Sequence, residues 1–76
     1  MKELLSRIVK ALVDYPDQVT VDEIESSQTI VLDIAVAKED LGKIIGQKGR
    51  NINAIRTIME GVSGKIQKRI IINIVE

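Results

Sequence analysis

The sequence predicts an α+β fold in which helices pack on one face of a three-stranded sheet, in the order α-β-β-α-α-β. Three observations predict it. Apolar residues recur at helical spacing in residues 2–14 and 50–62, and they alternate with period two in three other stretches. The chain has 76 residues without an internal repeat, a linker or a low-complexity segment, so all elements must share one core and residues 1–76 read as a single domain.

Each element follows from local pattern. In residues 2–14, Leu4, Leu5, Ile8, Val9, Leu12 and Val13 form the stripe of an amphipathic helix. Tyr15-Pro16-Asp17 ends it, because proline cannot continue the ladder and pushes its predecessor out of the helical region. Residues 18–22 alternate as a strand, and residues 29–37 do so more strongly, with Ile30, Leu32, Ile34 and Val36 on one face. The polar Glu25-Ser26-Ser27-Gln28 between them predicts an antiparallel hairpin. Lys38-Glu39-Asp40 puts acids at the opening of a short helix over 41–45, where they suit the helix dipole. Gly46-Gln47-Lys48-Gly49 interrupts it, and helical spacing resumes from Arg50 through Ile52, Ile55, Ile58, Met59 and Val62. Gly61 and Gly64 read as the end of that helix. Residues 68–76 are a β-branched strand, with Ile70, Ile72 and Ile74 alternating against Ile71, Asn73 and Val75.

Composition narrows the function. With no cysteine and no histidine, a disulfide scaffold, a thiolate metal site and a histidine proton shuttle are all excluded, and no cofactor or metal is expected. The carboxylates Asp14, Asp17, Asp22, Glu23 and Glu25 fall on turn and strand positions without a pocket to perturb them, so the expectation is a binding protein and not an enzyme. Charges interrupt the N-terminal segment, and no run of eighteen apolar residues occurs, which points to a cytoplasmic protein without membrane insertion. Ile, Leu and Val fill 27 positions while Tyr15 is the sole aromatic, so the core must be aliphatic. A chain this small gains from dense packing or an oligomeric interface.

The formal net charge of zero hides a split. Residues 1–40 carry four basic and nine acidic side chains, net −5, whereas residues 41–76 carry seven basic and two acidic, net +5. A basic module on an acidic support suggests a polyanion partner.

The glycine loop sharpens that suggestion. In Gly46-Gln47-Lys48-Gly49, two glycines three apart join two helices and let a ligand approach the backbone closely. The N–H groups opening the next helix form an anion site, and Lys48 and Arg50 add full charges beside it. Ile44, Ile45, Ile52 and Ile55 pin the two helices against the sheet and offer an apolar wall for bases. The P-loop pattern from Gly42 needs glycine where Gln47 stands, and the dinucleotide pattern from Gly46 needs glycine where Lys48 stands, so both fail. Gly61-Val62-Ser63-Gly64 repeats the spacing without a basic residue between the glycines.

The run Ile44-Ile45-Gly46-Gln47-Lys48-Gly49-Arg50-Asn51-Ile52-Asn53-Ala54-Ile55 matches [IV]-I-G-x-x-G-x-x-I-x-x-I at every defined position. It resembles the signature of the K-homology (KH) domain family, and the element order resembles the family's bacterial type II version over the whole chain. The resemblance implies single-stranded RNA binding, with the loop clamping the backbone of about four nucleotides beside an aliphatic groove. Carried over by position, Gly46 and Gly49 shape the loop and Gln47 and Lys48 face phosphates. Lys43, Ile44, Ile45, Arg50, Asn51, Asn53 and Arg56 border it. The resemblance also implies pairing with a larger KH-containing protein and regulation of RNAs linked to cell elongation and envelope synthesis, as a regulator or RNA chaperone.

Base-stacking modules built on sheet or barrel aromatics are excluded by the lone Tyr15. Without stacking, one domain binds modestly and gains from a second by avidity. Ile71, Val75 and an open strand edge therefore suggest a homodimer, or a heterodimer with another KH protein. The competing expectation is a protein-interaction module whose RNA affinity is incidental; neither reading has a small-molecule substrate.

Overall fold

A computed structural model describes residues 1–75. The elements are α1 (Lys2–Leu12), β1 (Thr20–Glu25), β2 (Thr29–Ala35), α2 (Leu41–Ile45), α3 (Arg50–Ile66) and β3 (Arg69–Val75). This is the expected α-β-β-α-α-β order, with single 3-10 turns at Pro16–Gln18, Lys38–Asp40 and Gln47–Gly49.

The sheet order is β1-β2-β3. β1 and β2 form the antiparallel hairpin, Thr20 opposite Ala35 and Glu25 opposite Ile30. β3 lies parallel to β2, Thr29 opposite Arg69 and Ala35 opposite Val75. A parallel neighbour requires a crossover, which α2 and α3 supply. Because strand side chains alternate, Ile30, Leu32, Ile34 and Ile72 turn to one face, where they are buried with Leu5 and Val9 of α1, Ile44 of α2, and Ile52, Ile55 and Met59 of α3. Each such aliphatic burial stabilises by about 1.5–3 kcal/mol, so this seam holds the loop-bearing helices to the sheet.

Several boundaries differ from the sequence pattern. α1 ends at Leu12, and its seam is narrower than the six-residue stripe: Leu5 and Val9 are buried while Leu4 and Leu12 are exposed. The chain leaves α1 early because Val13 is extended and the N–H groups of Asp14 and Tyr15 donate to the Asp40 carboxylate. β1 starts at Thr20, since Gln18 and Val19 donate to the carbonyls of Tyr15 and Pro16 and close a turn instead. β2 stops at Ala35 because the Ala37 carbonyl accepts from Asp40 N–H and opens the turn ahead of α2. β3 runs from Arg69, and Glu76, expected as its last residue, lies outside the described residues.

The largest correction concerns Gly61 and Gly64. They do not end α3, which runs through both to Ile66. Gln67 provides the stop instead, in the left-handed conformation at φ 57°, while the Ser63 hydroxyl donates to the Lys68 carbonyl beyond it. Met59, buried one turn before, keeps α3 on the sheet, and packing of that kind outweighs the weak helix preference of glycine.

Candidate nucleic-acid interface

α2 is closed by Gly46, whose N–H donates to the Gly42 carbonyl at 2.8 Å. Gly46 itself lies at φ 76°, ψ 169°, a region that only glycine occupies without strain. It also faces Asn51: a Cβ at Gly46 would stand 2.8 Å from both Asn51 Cγ and its backbone nitrogen. Asn51 is fixed there because its Nδ2 donates to the Lys43 carbonyl at 2.6 Å. The side chain clips the first turn of α3 to the last turn of α2, so Asn51 shapes the loop from within.

Gln47 and Lys48 project between the two glycines, both exposed. Lys48 is left-handed at φ 58°, ψ 26°, a conformation that costs a non-glycine residue about 1–2 kcal/mol. Gly49 follows at φ 74°, ψ 16°, and a Cβ there would meet only ordinary contacts, Asn53 Nδ2 at 3.7 Å being the nearest. No side chain caps the first turn of α3; its Arg50 N–H donates to the Gln47 carbonyl, and the Lys48 and Arg50 side chains are exposed beside it. Two exposed positive charges therefore stand at one corner, beside the positive end of the α3 dipole.

The expected aliphatic wall is mostly core. Ile44, Ile52 and Ile55 are buried, and of the four only Ile45 is half-exposed next to the loop. A groove of mixed polar and apolar lining lies between α3 and β3, formed by Arg56, Met59, Glu60, Ser63 and the β3 residues Arg69, Ile70, Ile71, Ile72 and Asn73. Arg56 stands at the groove about 10 Å from Gly49, at about 1.5 Å of rise per helical residue. Asn53, exposed one turn before the groove, lies between loop and groove. The sequence did not flag Met59, Ser63 or Asn73, because their facing is set by the α3 to β3 packing and leaves no motif.

Lys43 differs from the other cations. Its ammonium bonds the Asp14 carboxylate at the end of α1 and lies 3.9 Å from Asp40 Oδ1. The hydrogen bond to Asp14 raises its pKa above the ordinary lysine value, and the attraction of Asp14 and Asp40 adds to this. Asp40, 1% exposed, accepts from Asp14 N–H at 3.1 Å and Tyr15 N–H at 2.9 Å. Lys68, outside the expected site, pairs with Glu25 across the sheet end.

Comparison with known proteins adds the family. Residues 2–74 match the family described as KhpA/KhpB, KH domain. The chain belongs to that family. An RNA-binding protein KhpA of Clostridium acetobutylicum is 47% identical over 75 residues, spanning 99% of this chain and 100% of the relative. An RNA-binding protein KhpA of Chlamydia pneumoniae is 45% identical over 76 residues, 100% of this chain and 97% of the relative. A crystal structure of a point variant of Aquifex aeolicus Era, bound to GDP and aluminium fluoride, superposes with TM-score 0.68 at 16% identity over 96% of this chain. The chain spans 28% of that larger protein, and the likeness is one of fold. The hairpin followed by a parallel third strand is the type II KH arrangement, and residues 46–49 form a G-x-x-G turn between α2 and α3.

Proposed function

We propose that this chain binds single-stranded RNA, clamping the sugar–phosphate backbone at Gly46, Gln47, Lys48 and Gly49 and laying bases toward the α3 to β3 groove. The observation that carries the reading is the left-handed, exposed Lys48 held between two positive-φ glycines, at the uncapped start of α3. Strain of this kind on a charged side chain is sustained where the charge has work to do. The relatives named as RNA-binding proteins support the same reading. Arg50 and Arg56 extend the phosphate track along α3, Ile45 and Asn53 border it, and Asn51 keeps the loop in shape. The reading is of a binder that needs no catalysis, working in the cytoplasm. The wider role implied by the family, as a regulator or chaperone of RNAs in cell elongation and envelope synthesis, belongs to the proposal on that resemblance alone.

The test is a fluorescence-anisotropy titration of short single-stranded RNAs at two salt concentrations, with wild type and a Gln47→Asp, Lys48→Asp double variant. Circular dichroism checks that both are folded. Wild-type binding that weakens with salt and disappears in the variant supports the clamp. Equal binding by both proteins, or by neither, overturns it.

A second reading has its own observation. The sheet face away from the helices places Ile24 beside Val31 and Val31 beside Ile71, with Ile24 63% and Val75 51% exposed. This apolar row supports assembly through the sheet, as a homodimer or with a larger KH-containing protein. Sedimentation that shows only monomer at tens of micromolar removes the homodimer.

A further inference from the structure

The cations around the loop are not equivalent. Lys48 and Arg50, exposed on its α3 side, have no carboxylate in ion-pair range among the described residues. On the α2 side, Lys43 has two. Its backbone is tied to the loop through the Asn51 amide, yet its side chain turns to the end of α1, toward Asp14 and Asp40. The three charged groups together carry a net −1, so an RNA phosphate meets repulsion on one side of the loop and attraction on the other.

The two acids hold Lys43 differently. Asp40 is buried and its two oxygens accept from the backbone of residues 14 and 15, so it is a fixed part of the α1 to α2 junction. Asp14 is 68% exposed, and Lys43 is the partner its carboxylate has. Exposed ion pairs of this kind contribute little to stability, so the Asp14 charge can be removed without undoing the junction that Asp40 holds.

We propose that Asp14 acts as a counter-ion gate on the RNA clamp, withholding Lys43 from phosphate and confining the backbone to the Lys48 and Arg50 side of the loop. This rests on the RNA-clamp reading. The affinity of the chain is therefore set below what its cations allow, and loss of the Asp14 charge admits one further phosphate contact.

Salt dependence counts such contacts. For single strands, log K falls with log salt by about 0.7 per neutralised phosphate, so Asp14→Asn steepens the slope by about 0.7 and tightens binding severalfold at low salt. The substitution is nearly isosteric, and the Asp40 carboxylate accepts from the backbone N–H groups of residues 14 and 15, so the fold is retained; circular dichroism checks this. Adding Lys43→Ala to Asp14→Asn cancels both effects. A gain that persists without Lys43 reflects bulk charge alone and overturns the gate, as does a variant with wild-type slope and affinity. If wild type itself shows no RNA binding, the clamp reading falls first and the gate with it, an outcome distinct from binding that ignores Asp14.

Discussion

Two stretches of this chain share the spelling G-x-x-G and have opposite structures. At residues 46–49 both glycines have positive φ and the chain turns between two helices; at residues 61–64 both sit inside one continuous helix. At Gly61 and Gly64 a Cβ would meet nothing within 4 Å, whereas at Gly46 it would run into Asn51. Glycine spacing therefore does not specify a turn. The first pair is a turn because Asn51 occupies the space beside Gly46 and binds the Lys43 carbonyl, and because Ile44 and Ile52 anchor the two helices on either side.

The comparison breaks most visibly at Gly46. Gly46→Ala forces a side chain into a glycine-only conformation and against Asn51, and we expect a loss of about 2–5 kcal/mol in the denaturant midpoint analysis. Adding Asn51→Ala, which alone removes a hydrogen bond contributing about 1 kcal/mol, relieves only the Cγ contact and keeps the backbone nitrogen and Cβ that crowd the new side chain, so most of the Gly46→Ala loss should remain. Full recovery of the Gly46→Ala loss in that double-mutant cycle contradicts the packing account.

Gly49 sharpens the contrast within the loop. Its Cβ position is free and its conformation left-handed, so Gly49→Ala should cost about 1–2 kcal/mol and Gly49→Asn less, since asparagine tolerates that region. Equal losses for the two at thermal or chemical unfolding contradict a purely conformational cost.

The smallest effects, of opposite sign, belong to the helical pair. Gly61→Ala and Gly64→Ala each remove backbone freedom from the unfolded chain at positions with open space, and each should stabilise by about 0.5–1 kcal/mol. A drop in melting temperature for both shows that α3 does not continue through them.

The sequence disclosed what is local and repetitive. The helical and alternating periods gave the element order, and the complete motif around Ile44-Ile45-Gly46 located the loop, because turn, helix start and charge all lie within a dozen residues. What it hid depends on distant partners. Asp40 reads as a dipole acid at a helix opening, but its carboxylate binds backbone groups 25 and 26 residues away. Lys43 reads as one more loop cation until Asp14 is brought beside it from α1. The glycines at 61 and 64 read as a stop because the packing that carries α3 past them is tertiary. Ile44, Ile52 and Ile55 read both as anchors of the two helices and as a wall for bases, and their burial, which fits the anchor role, is decided by the sheet beneath them.

The distinction between the two glycine pairs is tested most directly by titrating 15N-labelled protein with a short single-stranded RNA and following each amide. The clamp account predicts that the largest shifts fall on residues 46–52, with those of residues 61–64 small. Binding that moves the 61–64 amides or the outer face of the sheet while leaving the loop still contradicts it.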